Sequence, residues 1–369
     1  PMAAGSPFFA TLPLADHGLE WIHGDFPLAH PLDDGTAVLL HRDLNDQDRE
    51  LGPDAKAWRS LIQPLVDNWE LFAEEALGPA LRIPRHPVMM ARFGVAAFQS
   101  ARRLATRHFK HPRTRALFAG LAAHSFLSLD DTLTSAIALV FAAVTPKVGW
   151  PIPRGGSQSI TQALLSTFES LGGKLHTGIR IDAAAFRSWN SPEVVTLFDT
   201  SPRQLLEIAG DCLTSNFRKL MTHFKRGPGS FKIDYALSRP VPWRARDCRR
   251  AITLHLGGSL EEIAESERLV TEGKHAERPF VLVAQPSIFD HTRAPDSKHT
   301  LWAYCHVPNG STEDMTDRIE SQIERFAPGF RDCIMTRYVS TPAILERMDA
   351  NLIGGDISGG AMTMKQFLL

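Results

Sequence analysis

The chain has 369 residues, more than one hydrophobic core usually supports, so its length predicts two domains or one elaborated domain. The composition is 43% apolar and 22% charged with a formal net charge of −1, which gives no argument for a nucleic-acid partner. The four cysteines are far apart and form no CxxC pair. This argues against a zinc site or a disulfide framework and favours a reducing compartment, the cytoplasm or, in a eukaryote, the mitochondrion.

Neither end of the chain shows the features of a complete protein. The first residue is Pro1 rather than Met, and no charged region followed by an apolar stretch marks a signal peptide. The last residues, 365–369, are apolar without a helix stop signal. No apolar run reaches the roughly 18 residues that a membrane-spanning helix needs. We interpret the sequence as a fragment.

The first 148 residues predict a strand pair followed by helices. Strands are expected at 19–23 and 37–41, joined through a turn at Asp33–Thr36. Pro53 opens a pattern of apolar residues at three- and four-residue steps, typical of a helix. Further helices are predicted near 87–108, 112–123 and 130–144.

The remaining residues predict an alternation of helices and strands. The loop Gly149–Ser157 leads into a helix at 157–171, which Gly172 and Gly173 end. Segments rich in β-branched and aromatic residues predict strands at 174–181, 193–198, 230–238, 251–256, 280–285 and 300–307. Two more helices are expected, at 202–209 and 312–326. The order of elements predicts an α/β fold with two interleaved domains.

A glycine-rich loop stands directly before the helix at 157–171. It consists of Pro153, Arg154, Gly155, Gly156 and Ser157. Glycines let a backbone approach a ligand, and the free N–H groups of a helix start favour anionic oxygens. The alternative is a tight turn capped by Ser157. The continuation into a helix, a glycine pair and a predicted strand favours the ligand-binding interpretation.

Four motifs in a fixed order carry a resemblance to a known family. They are Gly149–Ile181, Leu197–Pro202, Gly257–Ser259 and Gly354–Gly360. The series resembles phytoene dehydrogenase-like FAD-dependent oxidoreductases of the flavin amine oxidase superfamily, in particular the branch of pyridine nucleotide-disulfide oxidoreductase domain-containing protein 2. The resemblance implies non-covalently bound FAD. It places Pro153, Arg154, Gly155, Gly156, Ser157, Thr200, Ser201, Gly354, Gly355, Asp356, Gly359 and Gly360 beside that cofactor.

The same resemblance implies an incomplete FAD/NAD(P)-binding Rossmann-like domain interleaved with a mixed-sheet substrate domain that carries a helical cap. The flavin domain would comprise 1–18, 149–212 and 349–369, and the substrate domain 19–148 and 213–348. The family's GxGxxG unit occurs nowhere in the 369 residues, and its C-terminal flavin segment is missing. We therefore expect the isolated chain to be inactive and to hold FAD poorly.

Lys232 is the residue that indicates a chemical role most specifically. Its segment, Gly229–Leu237, resembles the amine-oxidase strand that carries a lysine beside flavin N5, where an ammonium group stabilises the negative charge of the reduced ring. In a strand, Lys232 and Asp234 share one face, opposite Phe231 and Ile233. The alternative is an exposed Lys–Asp face on an edge strand, without a chemical role.

Three further side chains are candidate catalytic residues because predicted strands could direct them into a substrate cavity. They are His255, Tyr304 and His306; a histidine there could transfer protons near neutral pH. Each histidine could equally be a hydrogen-bonded structural residue, and His124 is a weaker candidate of the same kind. The sequence contains no HExxH motif or spaced cluster of metal ligands, so no metal site is expected.

By resemblance, hydride passes from an apolar or amine-like small substrate to FAD N5, and oxygen or a quinone then reoxidises the flavin. The rival interpretation is a non-catalytic regulatory or interaction protein that retains the scaffold. Residues 82–129 contain nine Lys or Arg and no Asp or Glu. Over 82–113 this composition indicates either peripheral contact with a membrane or a helical cap. The apolar stripe expected there consists of Val88, Met89, Phe93, Ala97 and Phe98. The oligomeric state is not predicted.

Overall fold

A computed structural model of the protein describes residues 1–78 and 83–367. The start of the predicted basic segment at residue 82, and Leu368 and Leu369 of the predicted C-terminal flavin segment, lie outside the described residues. Within the described part, no helix is long and apolar enough to cross a membrane.

The described residues form nine strands, of which seven build one mixed sheet at the centre of the fold. The strands are β1 (Trp21–Ile22), β2 (Phe26–Pro31), β3 (Ala37–Leu40), β4 (Ile152–Pro153), β5 (Gly229–Leu237), β6 (Ala251–Leu256), β7 (Val281–Ala284), β8 (His299–Val307) and β9 (Ile334–Ser340). The order in the large sheet is β3-β2-β6-β7-β8-β5-β9. Its neighbouring strands are antiparallel except β2 and β6, which are parallel. The short β1 and β4 form a separate antiparallel pair.

Helices cover both faces of the sheet. The N-terminal group is α1 (Leu44–Leu51), α2 (Ala55–Asp67), α3 (Trp69–Ala76), α4 (Pro87–Ala97), α5 (Ala101–His108), α6 (Pro112–Ala123) and α7 (Thr134–Val148). The central group is α8 (Gln158–Ser170), α9 (Ala183–Trp189), α10 (Pro202–Ala209) and α11 (Ser215–Thr222). The last group is α12 (Leu260–Thr271), α13 (Pro286–Phe289), α14 (Thr316–Phe326), α15 (Pro342–Met348) and α16 (Met364–Phe367).

Two hydrophobic cores lie on opposite sides of the sheet. The N-terminal helices and α12 pack over Leu28, Val38 and Leu40 of β2 and β3. On the other side, α14 packs against an apolar face formed by alternate residues of the strands: Phe231, Ile233, Tyr235, Leu237, Leu254, Leu256, Val281, Val283, Leu301, Ala303, Cys305 and Val307. Because alternate residues of a strand point to opposite faces, the remaining residues of β5 to β8 face the helical layer.

The predicted α/β class, with a mixed sheet and a helical layer, is confirmed. Several elements match closely, among them α6, α10 and β6. The turn at 33–36 is also confirmed, and the strand predicted at 19–23 is present only as Trp21–Ile22, but its predicted pairing with the strand at 37–41 is wrong. β3 pairs with Phe26–Pro31, whereas Trp21 and Ile22 pair with β4. β2 is almost wholly buried and contains two prolines, so it lacks the alternation that marks a half-exposed strand.

The predicted strands at 174–181 and 193–198 are wrong. Both segments are irregular, with Leu175, Ile179, Val195 and Leu197 exposed. A strand needs a hydrogen-bonded neighbour, and none of the described residues provides one. The Rossmann-like domain that the resemblance implied is therefore not built as a sheet from these segments.

Two further predictions, one of a helix and one of a stretch of strands, also need correction. The helix expected over 87–108 is two helices, α4 and α5, because Ser100 caps a second helix by accepting a hydrogen bond from the Arg103 N–H. The stretch from 213 to 307, expected to be mostly strands, contains α12. This helix begins with a capping box in which Ser259 and Glu262 bond each other's backbone N–H groups.

Candidate active site on the helix-facing side of the sheet

Six side chains form a patch two strands wide on the helix-facing side of β5 and β8. The register pairs Ser230 with His306, Lys232 with Tyr304, and Asp234 with Trp302. We call these six residues the β5–β8 patch. The rings of Trp302 and Tyr304 are stacked with centroids 6.2 Å apart, and the centroids of Tyr304 and His306 are 5.7 Å apart. The predicted alternation therefore brings Lys232, Asp234, Tyr304 and His306 together on one face.

One end of the β5–β8 patch is open to solvent. The side chains of Lys232 and Asp234 form an ion pair and are 34% and 44% exposed. An ion pair at such exposure contributes little to stability, so the pair is not a structural requirement. The ammonium group is accessible beside two aromatic rings, and this geometry allows a flat ligand to lie against it.

The other end of the patch is closed and contains a buried histidine–carboxylate pair. His306 Nδ1 lies 2.6 Å from Glu267 Oε2, and the two side chains are 2% and 1% exposed. A carboxylate oxygen accepts, so the ring donates from Nδ1 in this contact. Neither His306 Nε2 nor Glu267 Oε1 has a partner among the described residues. Burial, together with the charge of Glu267, raises the pKa of Tyr304.

Sequence reasoning missed Glu267 because α12 was not predicted. The signal was present: a capping box at Ser259 and Glu262 precedes apolar residues at helical spacing, Leu260, Ile263 and Ala264. Recognising this helix would have placed Glu267 on its buried face, one turn beyond Ile263.

Phe126 closes the patch over His306. Its ring centroid is 4.1 Å from that of His306, and the residue is 8% exposed. Its φ angle of 58° lies in the left-handed region, which costs a bulky residue energy. The contact with His306 is made by a strained residue in the loop that joins α6 to α7.

His255 lies apart from the patch in a second buried cluster. Its Nε2 is 3.0 Å from Nε2 of His124, so one ring donates a hydrogen bond to the other. His30 Nε2 donates to the carbonyl oxygen of Gly258 at 2.7 Å. Burial lowers the pKa of His30 to about 4 and that of His124 to about 3, and it lowers the pKa of His255 well below 6.5. All three rings are therefore neutral at neutral pH.

Helix α6 packs closely against the ring of His255. A Cβ atom built on Gly120 would lie 2.6 Å from His255 Nδ1, so only glycine allows this approach. The structure therefore places His255 inside the packed cluster beneath α6, whereas His306 and Tyr304 belong to the β5–β8 patch.

The glycine loop predicted to bind the cofactor contacts the segment after β7. Gly155 N–H donates to Asp290 Oδ2 at 2.7 Å, and Arg293 donates to the Gly155 carbonyl. A Cβ atom on Gly156 would lie 2.8 Å from the Arg293 guanidinium. A carboxylate thus already occupies the position that an anionic ligand would take at this N–H. The tight turn of the alternative interpretation is present, since the Gly156 N–H donates to the Pro153 carbonyl at 3.0 Å, but its cap is wrong, because Ser157 makes no side-chain capping hydrogen bond.

The two residues before these glycines also have protein partners. Pro153 pairs with Trp21 in the two-stranded sheet. Arg154 makes a bidentate contact with Glu20, with Nε 2.6 Å from Oε2. Both contacts tie the loop to the strand β1.

The glycine-rich tail packs against the start of β5. Asp356 is 2% exposed and accepts hydrogen bonds from the Gly227 and Ser358 N–H groups at 2.7 and 2.9 Å. A Cβ atom on Gly354 would lie 2.2 Å from Asn309, and one on Gly355 would lie 2.7 Å from the Pro342 backbone. Packing within the protein thus accounts for these two glycines.

The other predicted cofactor residues flank this tail. Gly359 has no atom within 4 Å of a built Cβ, whereas Gly360 lies against Phe224. Ser201 caps α10, and its N–H donates to the Asn351 side chain at 2.8 Å. Thr200 directly precedes this contact. The structure therefore brings the predicted internal and C-terminal flavin segments into contact.

The two glycine segments approach the patch from opposite ends. The loop contacts Asp290, which directly follows α13. Ser287 of α13 in turn accepts a hydrogen bond from the N–H of Thr300, at the start of β8, at 2.9 Å. The tail reaches the end of β8, where the Gly310 N–H donates to the Gly354 carbonyl at 2.8 Å. Lys232 lies between these two ends along β5. Protein groups occupy the N–H of Gly155 and the close-approach positions of Gly354 and Gly355, whereas the Lys232 end of the patch is exposed.

A cleft of about 360 Å³ lies away from this face, beside α14. Asp33, Arg278 and Arg325 are among its lining residues, and Arg325 bonds Asp33 in a bidentate contact. Each arginine that lines it forms an ion pair with a carboxylate, so the cleft offers less chemistry than the β5–β8 patch.

Sequence comparison gives a short match. No family model matches the chain. Pyridine nucleotide-disulfide oxidoreductase domain-containing protein 2 of Rattus norvegicus is 31% identical over 105 residues, covering 26% of this chain and 18% of the relative. The Mus musculus protein of the same name is 30% identical over the same length and coverage. The matched part spans less than a fifth of these curated relatives.

Structural comparison covers nearly the whole chain. An oxidoreductase from Methanosarcina mazei has a TM-score of 0.54 at 15% identity, over 91% of this chain and 73% of that one. The PF1083 protein from Pyrococcus furiosus has a TM-score of 0.51 at 12% identity, over 90% and 72%. A putrescine oxidase variant has a TM-score of 0.50 at 14% identity, over 96% and 82%. The chain therefore has a fold that it shares with oxidoreductases.

Proposed function

We propose that these residues form the substrate side of an FAD-dependent oxidoreductase. The enzyme would transfer hydride from an apolar or amine-like small substrate to flavin, with oxygen or a quinone as the final acceptor. The observation that carries the proposal is the open Lys232–Asp234 pair beside the stacked Trp302 and Tyr304. The shared fold and the resemblance to phytoene dehydrogenase-like proteins support it.

Each residue of the patch would have a distinct task. FAD, when bound, supplies the hydride acceptor. The Lys232 ammonium provides positive charge where the reduced ring would carry negative charge, and Asp234 fixes the orientation of that ammonium. Trp302 and Tyr304 present an apolar surface that would exclude water from a bound substrate. His306 Nε2 could accept a proton, because Glu267 holds the opposite ring nitrogen.

The predicted domain division remains part of this proposal. Segments 1–18, 149–212 and 349–369 would contribute to the flavin side, and 19–148 and 213–348 to the substrate side. Since the 369 residues contain no GxGxxG motif, we expect FAD to bind weakly and not to copurify. The segments 149–212 and 349–369, which contact each other through Ser201 and Asn351, would hold the cofactor.

The test is the reoxidation by oxygen of reduced FAD in the presence of a large excess of protein, so that most of the flavin is bound. Flavin is photoreduced anaerobically, mixed with oxygen, and followed by absorbance. We expect Lys232→Met to slow the reoxidation of the protein-bound flavin on the order of 100-fold, since a preorganised charge would be lost. Lys298→Met is the matched control, because Lys298 is an exposed lysine in a turn away from the patch.

Equal rates in the two variants would remove Lys232 from the mechanism. The alternative function, a non-catalytic interaction protein, is favoured by one observation: Asp290 and Arg293 already occupy the glycine loop. If a large excess of protein caused no change in the fluorescence of FAD, this alternative would replace the enzyme proposal.

A further inference from the structure

Helix α4 has apolar side chains on two opposite faces. Met89 and Phe93 pack on the core, and the Phe93 ring centroid is 4.8 Å from that of Phe72. Val88 and Val95 point outward and are 67% and 75% exposed. The single apolar stripe expected from the sequence is therefore divided, with Met89, Phe93 and Ala97 inside and Val88 and Phe98 outside.

The outer face of α4 is unusual for a helix at a protein surface. Such a helix normally places polar residues opposite its buried stripe. Here Val88, Ala91, Val95 and the C-cap residue Phe98 are exposed at helical spacing, and Phe98 is 54% exposed. Ile83, shortly before the helix, is 92% exposed. A contiguous apolar surface of this kind marks an interaction site.

Three arginines lie on or beside this face without an ion-pair partner in the part of the chain that the structure describes. Arg92 lies on the same outer face as Val88 and Val95, and α5 exposes Arg103 and Arg107. None of these three arginines forms an ion pair with a described residue, whereas Arg102 pairs with Asp130 at 3.1 Å. Residues 83–129 contribute no Asp or Glu, so the outer faces of α4 and α5 carry unpaired positive charge beside the paired Arg85 and Arg102. Exposed apolar side chains interspersed with unpaired arginines complement an anionic lipid interface.

We propose that the outer face of α4 docks on a membrane that contains anionic lipids. Val88, Val95 and Phe98 enter the boundary between headgroups and acyl chains, and Arg92, Arg103 and Arg107 bind the headgroups. The helix lies along the interface, because its 11 residues extend only about 16 Å. This docking does not depend on the flavin chemistry, so the two proposals can fail separately.

Vesicle cosedimentation of the whole 369-residue protein tests the proposal. We expect binding to phosphatidylcholine vesicles that contain phosphatidylserine, and much weaker binding to phosphatidylcholine alone. Arg92→Ala and Arg103→Ala should each weaken binding about fivefold, since each cation near the surface contributes about 1 kcal/mol. Val95→Asp should weaken it on the order of tenfold by removing a buried apolar side chain. Raising the ionic strength to about 1 M should release the protein, because the Debye length falls to about 3 Å.

Matched controls lie elsewhere on the surface. Val195 is 86% exposed, so Val195→Asp makes the same change outside α4. Arg246 and Arg249 are exposed and control for loss of positive charge. Circular dichroism verifies that each variant is folded. The proposal is overturned if wild-type protein binds vesicles equally with and without phosphatidylserine, or if Val95→Asp and Val195→Asp weaken binding equally. Self-association without vesicle binding, lost in Val95→Asp, would overturn it in favour of a second copy of the chain.

Discussion

The two faces of the seven-stranded sheet come from alternating residues of the same strands but carry different chemistry. The face against α14 is apolar along β5, from Phe231 through Ile233 to Leu237. The face toward the helical layer carries Lys232 and Asp234 at the intervening positions. Along β5, one face therefore stabilises the fold, and the other displays an exposed ion pair that stability does not require. This contrast makes the β5–β8 patch a candidate site independently of any resemblance.

The largest expected effect is on the apolar face. Phe231→Ala should lower the free energy of unfolding by about 3–5 kcal/mol, because it removes a fully buried ring and leaves a cavity. Lys232→Ala, one residue along the same strand, should change it by at most about 1 kcal/mol. Urea denaturation followed by circular dichroism measures both. Similar losses in the two variants would contradict the division into a stabilising and a functional face.

A smaller effect is expected at the closed end of the patch. Glu267→Leu should cost about 1–3 kcal/mol, since the buried His306 Nδ1–H loses its acceptor. Glu267→Gln keeps an acceptor oxygen and should cost less. The same urea titration distinguishes the two. Equal stability of the leucine and glutamine variants would show that the hydrogen bond to His306 does not hold this end together.

The effect that is smallest at neutral pH, and grows as the pH falls, is a pH dependence from the neutral histidines. The folded pKa values of His30 and His124, about 4 and about 3, lie below the ordinary value of 6.5. The unfolded chain therefore binds more protons, so stability should be complete above pH 6.5 and decline as the pH falls toward 4. Urea titrations at successive pH values measure this slope, and His30→Gln should reduce it. An unchanged slope in that variant would exclude His30 as a source.

Much of the sheet could be predicted because its strands have clear patterns. In β8, Trp302, Tyr304 and His306 alternate with buried small residues, so their shared face follows from a period of two. Lys232 and Asp234 were placed together by the same rule. The pairing of β5 with β8 could not be predicted, because register between distant strands depends on tertiary packing.

The wrong predictions have physical causes of their own. Segments 174–181 and 193–198 have strand-like composition, but composition does not supply the neighbour that a strand needs. Conversely, β2 was overlooked because a buried central strand need not alternate. Glu267 was missed since its role appears only when α12 packs against β8. The sequence thus predicted four residues of the β5–β8 patch: Lys232, Asp234, Tyr304 and His306. It did not predict Glu267, whose carboxylate orients the His306 ring from α12.

The parallel pairing of β2 with β6 has a consequence for how the chain acquires its structure. Leu28 lies beside Thr253, so the sheet closes across more than half of the sequence. During synthesis, the β2–β3 hairpin emerges long before its other neighbour, and one edge of β2 stays unpaired meanwhile. Long-range pairing of this kind slows folding and exposes strand edges to aggregation. We therefore expect slow refolding, and a yield of native protein that falls as the protein concentration rises.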